Sequence, residues 1–206
     1  MITAKIKHKK KTLSIDIPEG WEECKLKHIV KLDLWDGDSS DIIGLMGCFV
    51  DLPTEVLEAT HSNLWEPLFK VLAFVFNPPS WHNLKKPDKI LINDKYVKVP
   101  KNLELESFGQ KVMAMQKMVV DQDSIRVIPD ILAIYLQPVY DNKFSRPRIE
   151  VVKEYILECN AIDTVPIGRF FFRKLLRQKN YGLIGLNRYQ RIIKQMRFSN
   201  RQAVNV

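Results

Sequence analysis

Side chains that commonly carry catalysis or bind metals are few and widely separated in this sequence. The four histidines and three cysteines are His8, His28, His61, His82, Cys24, Cys48 and Cys159. Their spacing matches no zinc-ligand pattern, and a joint site of Cys48, His61 and His82 would depend on the fold alone. No serine stands in a nucleophile-elbow motif, and the sequence has no glycine-rich phosphate loop. We therefore predict that the protein is not an enzyme and holds no cofactor.

An acidic stretch, "DLWDGDSSD" at residues 33–41, superficially resembles a calcium-binding loop. Such a loop closes with a bidentate glutamate at its twelfth position, where this sequence has Gly44. We interpret the stretch as a polar loop that leads into a helix capped by Asp38, Ser39 or Ser40. The odd number of widely spaced cysteines argues against a disulfide framework and favours a reducing compartment.

The C-terminal end differs from the rest of the chain in charge. The net charge is +8, and residues 169–206 carry ten Lys and Arg side chains but no Asp or Glu. Residues 1–168 hold the remaining 22 basic side chains and all 24 acidic ones, for a net charge of −2. This asymmetry predicts an acidic or polyanionic partner for the C-terminal end.

The stretch "RFFFRKLLRQ", at residues 169–178, begins this cationic end. Helical spacing separates an apolar side from a basic stripe. The apolar side, which we expect to be buried, consists of Phe171, Phe172, Leu175 and Leu176. A second basic helix follows, and the candidate partner- or nucleic-acid-binding residues of both helices are Arg169, Arg173, Arg177, Arg188, Arg191, Lys194 and Arg197.

Three kinds of partner fit a basic helical surface. Docking on an acidic protein surface needs no exposed phenylalanine. Binding to nucleic acid would place the arginines on phosphates and would depend steeply on salt. A membrane-surface helix also fits the charge. The rest of the chain offers no membrane anchor and no signal peptide, so the sequence disfavours a membrane and favours a soluble intracellular protein.

Hydrophobic periodicity predicts an α+β, mainly α-helical fold, with two β-hairpins in the N-terminal half and a helical C-terminal half. The first hairpin is expected to bury one face, formed by Ile2, Ala4, Ile6, Leu13, Ile15 and Ile17. The second is expected to pair Ile90 and Ile92 with Tyr96, Val97 and Val99 across a turn at Asn93–Lys95. Because an isolated hairpin is marginally stable, we expect the two to form one small sheet.

Capping residues and prolines locate the helices. The first helix is expected to bury Leu26, Ile29, Val30 and Leu34, with Trp21 as an anchor beneath the preceding turn. The caps predicted for five later helices are Asp51 or Thr54, Ser62 or Asn63, Ser107, Ser124, and Asp163 or Thr164. The apolar face of the helix that begins near Pro147 is expected to contain Val151, Val152, Tyr155 and Ile156. We divide the chain into a mixed α/β body at residues 1–162 and a basic helical C-terminal segment at residues 163–206.

Three stretches resemble small structural or assembly proteins of tailed bacteriophages. In "LSIDIPEGWEECKLKHIVKL", a basic alternating strand ends in Ile17, Pro18, Trp21 and Glu23 and runs into a helix. "INDKYVKVPKNLELESFGQKVMAM" resembles a hairpin followed by Phe-Gly-Gln in proteins of Bacteroides-infecting, crAss-like phages, and "YLQPVYDNKFSR" adds to the likeness. The likeness covers residues 13 to about 145, departs at Glu22-Glu23-Cys24, where a Val-Thr-type helix entry is expected, and does not include the basic end.

The resemblance implies a role in the virion or its assembly, and it transfers no functional residue. The expected function is that of a non-catalytic virion structural protein, either in the neck or tail or packaged internally, made in the host cytoplasm and located in the virion. Its partners would be other phage structural proteins, for example in a multi-copy ring, or DNA at the basic C-terminal face. Two alternatives remain, which are a phage tail assembly chaperone and an intracellular nucleic-acid-binding module.

Overall fold

The computed structural model describes residues 1–8, 11–35, 41–59, 62–81, 83–101, 107–120 and 125–175. The strands are β1 (Ile2–His8), β2 (Lys11–Ile17), β3 (Lys89–Ile92) and β4 (Lys95–Lys98). The helices are α1 (Leu26–Leu34), α2 (Ile42–Phe49), α3 (Thr54–Glu58), α4 (Ser62–Val71), α5 (Phe108–Val120), α6 (Ile128–Asp141), α7 (Arg146–Leu157) and α8 (161–175). The predicted α+β, mainly helical fold is confirmed.

The chain divides into two units, Met1–Phe170 and Phe171–Val206. The first unit holds all four strands, α1 to α7 and most of α8. In the second unit, the described residues are 171–175. None of the helices in the described ranges has the length and the apolar content that crossing a bilayer requires.

The first hairpin brings the predicted inner residues of its two strands together on one face. Its inner pairs are Ile2 with Ile17, Ala4 with Ile15, and Ile6 with Leu13. Ile6, Ile15 and Ile17 are buried, while the residues between them face outward, because successive side chains of a strand point to opposite faces. Strand β2 ends at Ile17, since Pro18 has no N–H for the ladder.

The second hairpin is shorter than the first. Ile90 pairs with Val97 on its buried inner face. Asn93 and Asp94 have φ angles of 44° and 61°, and a type I′ turn needs positive φ at both central residues. The turn therefore has two residues, one fewer than the predicted Asn93–Lys95.

The prediction of one joint sheet is wrong, because the hairpins form two separate two-stranded sheets. Each hairpin is stabilised by helices rather than by the other hairpin. The inner face of β1 and β2 belongs to a core with α1, α2 and the region around α4. Strand β4 packs against α6 instead.

Trp21 anchors the core beneath the first hairpin. Its indole Nε1 donates hydrogen bonds to the carbonyl oxygens of Phe74 and Asn77, both at 3.1 Å. Its ring lies edge-on to Phe74 and Trp81, with centroid distances of 5.3 and 5.5 Å. The predicted anchor thus fixes the 3-10 turn that continues α4, far along the chain, as well as its own turn.

Helix α6 is the centre of the remaining helices. From Ile128 to Gln137, every residue except Asp130 is buried, because α5, α7 and β4 all pack against this helix. Ser107 caps α5 as predicted: its Oγ accepts from the N–H of Gln110 at 3.2 Å, and the Gln110 side chain accepts from the N–H of Ser107 at 2.9 Å. This reciprocal pair is a capping box.

Two predicted helix caps are wrong. Asp41 caps α2 by accepting from the N–H of Gly44 at 2.8 Å, in place of Asp38, Ser39 or Ser40, which lie outside the described residues. Helix α3 begins directly after Pro53 and has no side-chain cap, because Asp51 instead binds lysines of α1.

The predicted caps of α4 and α6 are Ser62 or Asn63 and Ser124, respectively. The side chains of these three residues lie outside the part of the chain that the structure describes. The sequence predicts Pro67 in the first turn of α4, but this proline lies in the second turn.

Two predicted apolar faces need correction. On α1, Leu26 and Ile29 are buried, but Leu34 at the end of the helix is 61% exposed. His28 is the third buried residue of this helix. On α7, Val151 is exposed rather than buried, and the buried face is formed by Ile149, Val152 and Ile156.

Candidate functional site

The helix that begins the cationic end is tied to a distant part of the chain. The N–H of Ala161 donates to the carbonyl oxygen of Cys24 at 2.7 Å, and the N–H of Leu26 donates to that of Cys159 at 2.9 Å. The Asn160 side chain donates to the carbonyl oxygen of Glu22. Residues 22–26 and 159–161 therefore form a small backbone junction, which fixes where α8 starts.

Asn160 caps α8, so the predicted cap at Asp163 or Thr164 is wrong. The Oδ1 of Asn160 accepts from the N–H of Ile162 at 2.9 Å. Thr164 is buried inside the helix, where its hydroxyl donates to the carbonyl oxygen of Asn160 at 2.9 Å. The backbone junction starts the helix earlier than predicted and leaves Pro166 in the second turn.

Gly168 allows α8 to approach α6 closely. A Cβ at this position would lie 2.5 Å from the Cγ2 of Ile128 and 3.0 Å from its Cγ1. Ile128 is buried and β-branched, so it cannot move aside easily. The first turns of α8 are therefore held in a fixed position within the first unit.

Around the aromatic run, the two predicted sides of the helix differ in exposure. Phe171 and Leu175 are buried, as predicted, and Phe172 is half-buried. Arg173 is exposed and Arg169 is half-buried. The helix therefore presents basic and apolar side chains in different directions, and exposed guanidinium groups of this kind suit phosphate or carboxylate recognition.

Two of the predicted basic residues lie within the described part of the structure. Arg169 and Arg173 lie in α8 at a spacing of one helical turn. The other candidate residues lie outside the described residues, as does the predicted apolar Leu176; these candidates are Arg177, Arg188, Arg191, Lys194 and Arg197. The basic surface and the proposed division at residues 162 and 163 stay predictions.

Several charges in the body are paired with each other. Lys27 bridges Asp51 and Glu158, with its Nζ 2.8 Å from a Glu158 oxygen. Lys31 also binds Asp51, and the hydrogen bonds from both lysines lower the pKa of Asp51 to about 2. Further ion pairs join Asp33 to Arg126, Asp141 to Arg148, and Asp130 to Lys117 and Lys153.

The reactive side chains of the described residues are committed to packing. Cys24, Cys48 and Cys159 are buried and unbridged, and burial raises the pKa of these thiols to about 12, 11 and 12, respectively. Burial, with the nearby charge of Lys27, lowers the pKa of His28 to about 4. Within the described residues, no three His, Cys, Asp or Glu side chains come together as a metal site would require.

The acidic loop that resembles a calcium site is used structurally at both of its ends. Asp33 accepts from the Nε of Arg126 at 2.7 Å, and Asp41 caps α2. His61, His82 and residues 36–40 lie outside the described residues.

One basic surface escaped the sequence interpretation. The second hairpin and its flanks, residues 83–101, contain six lysines and two aspartates. This concentration is visible in the sequence, but the alternation of apolar residues predicts only the hairpin and not the face on which its charges lie.

Comparison with protein-family models, with curated proteins and with solved structures found no match for this chain.

Proposed function

We propose that this chain is a non-catalytic structural protein of a tailed bacteriophage virion, which docks on its neighbours by shape and through its basic C-terminal end. The observation that carries the proposal is the separation of sides on α8. Phe171 and Leu175 are buried, while Arg173 is exposed. The buried aromatic residue is therefore used for packing, and the exposed Arg173 is accessible to a partner.

The charge distribution supports docking through the C-terminal end. Several acidic side chains of the body are paired with lysines and arginines of the body, as in the group formed by Asp51, Glu158 and Lys27. Residues 169–206 contain no acidic side chain and cannot compensate their charge among themselves. An external acidic or polyanionic surface would do so, and many copies in a ring would multiply each weak contact.

The residues that carry the phage resemblance have structural roles. Trp21 holds the end of the 3-10 turn after α4. Gln110 is buried, and its side chain donates to the carbonyl oxygen of Ile134 at 3.1 Å. Gln137 is fully buried and donates to the carbonyl oxygen of Lys143 at 2.8 Å. Buried polar groups satisfied in this way determine a fold, so the resemblance supports a shared architecture rather than a shared reaction.

Mass spectrometry of purified particles tests the proposal. We expect peptides of this chain in particles of the phage that encodes it, at a constant ratio to a known virion component through repeated density gradients. Detection in the infected lysate but not in the particles would contradict the proposal and would favour a tail assembly chaperone.

Charge reversal tests the docking surface. We expect Arg173→Glu combined with Arg177→Glu to reduce incorporation of the chain into particles, when each variant is supplied during infection in place of the wild type. The matched control is Lys5→Glu combined with Lys70→Glu, which changes the net charge equally at exposed positions of the body. Equal incorporation of both variants would exclude docking through this stripe.

A further inference from the structure

The outer face of the second hairpin combines exposed basic and aromatic side chains. Leu91 lies directly opposite Tyr96, and Lys89 lies directly opposite Lys98. Leu91 is 46% exposed and Tyr96 is 72% exposed. All four side chains point away from the buried face of Ile90 and Val97, because alternate residues of a strand share a face.

The facing lysines are not explained by folding. Side chains directly opposite each other in an antiparallel pair have Cβ atoms roughly 4.5–5.5 Å apart, and like charges there are destabilising. Among the described residues, neither Lys89 nor Lys98 has an ion pair or a hydrogen bond through its ammonium group. An anion between the two would relieve their repulsion.

Other lysines extend the charge along the same stretch. Lys85 and Lys101 are exposed, and neither forms an ion pair with a described residue. The two acids of residues 83–101 lie at the margins: Asp88 is 3.9 Å from Lys86, and Asp94 is in the turn. The net charge of this stretch is +4, whereas residues 1–168 as a whole carry a net charge of −2. Glu104 and Glu106, the next acids along the chain, lie outside the described residues.

Tyr96 is also unexplained by the fold. Its ring makes no aromatic contact and its hydroxyl no hydrogen bond with a described residue. Exposed aromatic rings beside lysines are how many proteins bind single-stranded nucleic acid, since a base stacks on the ring while the lysines contact phosphates. An acidic peptide would satisfy the lysines but would offer no flat ring to Tyr96, and a duplex keeps its base faces stacked internally.

We propose that the outer face of β3 and β4 binds single-stranded nucleic acid, with Tyr96 as the stacking platform and Lys89 and Lys98 as the phosphate contacts. The proposal is independent of the C-terminal arginines and of a place in the virion. It uses different residues, all of them described, in the first unit of the chain.

Fluorescence anisotropy of the full-length chain with a labelled oligo-dT of about 20 nucleotides tests the lysine contacts. Affinity is measured between about 50 mM and about 200 mM salt, because each phosphate contact on a single strand contributes roughly 0.7 to the slope of log affinity against log salt. We expect Lys89→Gln combined with Lys98→Gln to weaken binding and to reduce that slope by about 1.4. The control, Lys5→Gln combined with Lys70→Gln, makes the same charge change elsewhere and should leave the slope nearly unchanged.

Substitutions of Tyr96 test the stacking contact. Tyr96→Leu keeps an apolar strand residue but removes the ring, and we expect it to weaken binding roughly fivefold to a hundredfold. Tyr96→Trp should bind at least as tightly as the wild type, since it keeps a ring. Circular dichroism and the unfolding midpoint establish that each variant is folded. The basic C-terminal end is present in every variant, so its contribution cancels in the comparison.

Three outcomes would overturn the proposal. The first is an equal loss of affinity in the hairpin variant and its control. The second is wild-type affinity in Tyr96→Leu. In that case, binding of poly-glutamate that is weakened by the same lysine substitutions would assign the face to an acidic polypeptide. The third is a duplex of matched length that binds as tightly as the single strand, which would remove the role of stacking. Loss of C-terminal arginines would reduce binding in all variants alike and bears only on the proposed virion function.

Discussion

The two hairpins have the same inner construction and different outer faces. Each buries isoleucine or valine on one side. On the outer side of the first, Thr3 donates to Asp16 at 2.7 Å, and Lys5 stands opposite Ser14. The outer side of the second places lysine against lysine and exposes an apolar pair. Both faces of the first hairpin thus contribute to the stability of the fold, whereas the outer face of the second carries features that folding does not need.

The largest expected difference concerns the free energy of unfolding. It should appear when an inner residue of the first hairpin and an outer residue of the second are each replaced by alanine. Ile17 is fully buried, so Ile17→Ala should lower the free energy of unfolding by about 2–5 kcal/mol. Leu91→Ala, on the outer face of the second hairpin, should cost at most about 1 kcal/mol. Urea unfolding followed by tryptophan fluorescence measures both, and equal costs would show that the outer face of the second hairpin is part of a core.

Acid should lower the stability of the region around the first hairpin, because this hairpin leads into α1, which contains the buried His28. Strands β3 and β4 contain no histidine. Burial lowers the pKa of His28 to about 4 in the folded protein, while the unfolded chain takes up its proton near pH 6.5. Because the unfolded state binds this proton first, stability should fall as the pH drops from about 6.5 to about 4, by up to about 3 kcal/mol.

His28→Gln isolates this effect. The His28 Nδ1 accepts from the N–H of Lys25 at 3.2 Å, and a glutamine at the same helix position can accept that bond without titrating. Urea unfolding at pH 7 and at pH 4.5 should therefore show a smaller difference in this variant than in the wild type. An undiminished difference in His28→Gln would assign the acid sensitivity to other groups.

The same substitution should have opposite signs in the two hairpins. Asp94 has a positive φ, so Asp94→Gly should stabilise the protein by about 0.5 kcal/mol. Asp16 is an extended residue whose carboxylate accepts from Thr3, so Asp16→Gly should cost about 1–2 kcal/mol. Thermal unfolding of both variants measures the difference, and a loss of stability in Asp94→Gly would contradict the type I′ turn.

The smallest expected effect concerns the facing lysines. Lys98→Gln should stabilise the protein by about 0.2–0.5 kcal/mol at low salt, because it removes a like charge opposite Lys89. The gain should shrink as salt is added and should vanish in a Lys89→Gln background. Lys5→Gln, which has Ser14 opposite, should leave stability unchanged. Equal changes in stability from Lys98→Gln and Lys5→Gln would mean that the facing lysines of the second hairpin do not destabilise the fold.

Local patterns predicted the local structure well. Alternation along residues 2–17 predicted the two strands and their inner face, and Ser107 caps α5 as predicted. Helical spacing also identified Phe171 and Leu175 as buried. For the hairpin and the cap, the contacts that decide the outcome lie within a few residues, or across one turn, of the pattern itself.

Distant contacts decided the features that the sequence did not predict. The start of α8 depends on Asn160, whose side chain binds the carbonyl oxygen of Glu22 across 138 residues. Val151 and Leu34 are apolar and in helical register, yet neither is covered by a neighbouring element. The lysines of the second hairpin were plain in composition, but only the pairing of Lys89 with Lys98 shows that they share a face.

The junction between residues 22–26 and 159–161 has a consequence for the order of folding. During synthesis, the N-terminal hairpin and α1 emerge long before residues 159–161, which complete the backbone hydrogen bonds of residues 22–26. Closing so long a loop slows folding, and the carbonyl oxygen of Cys24 must wait for the N–H of Ala161. A nascent chain of this protein therefore stays incomplete at its beginning until nearly the end of its body has been made.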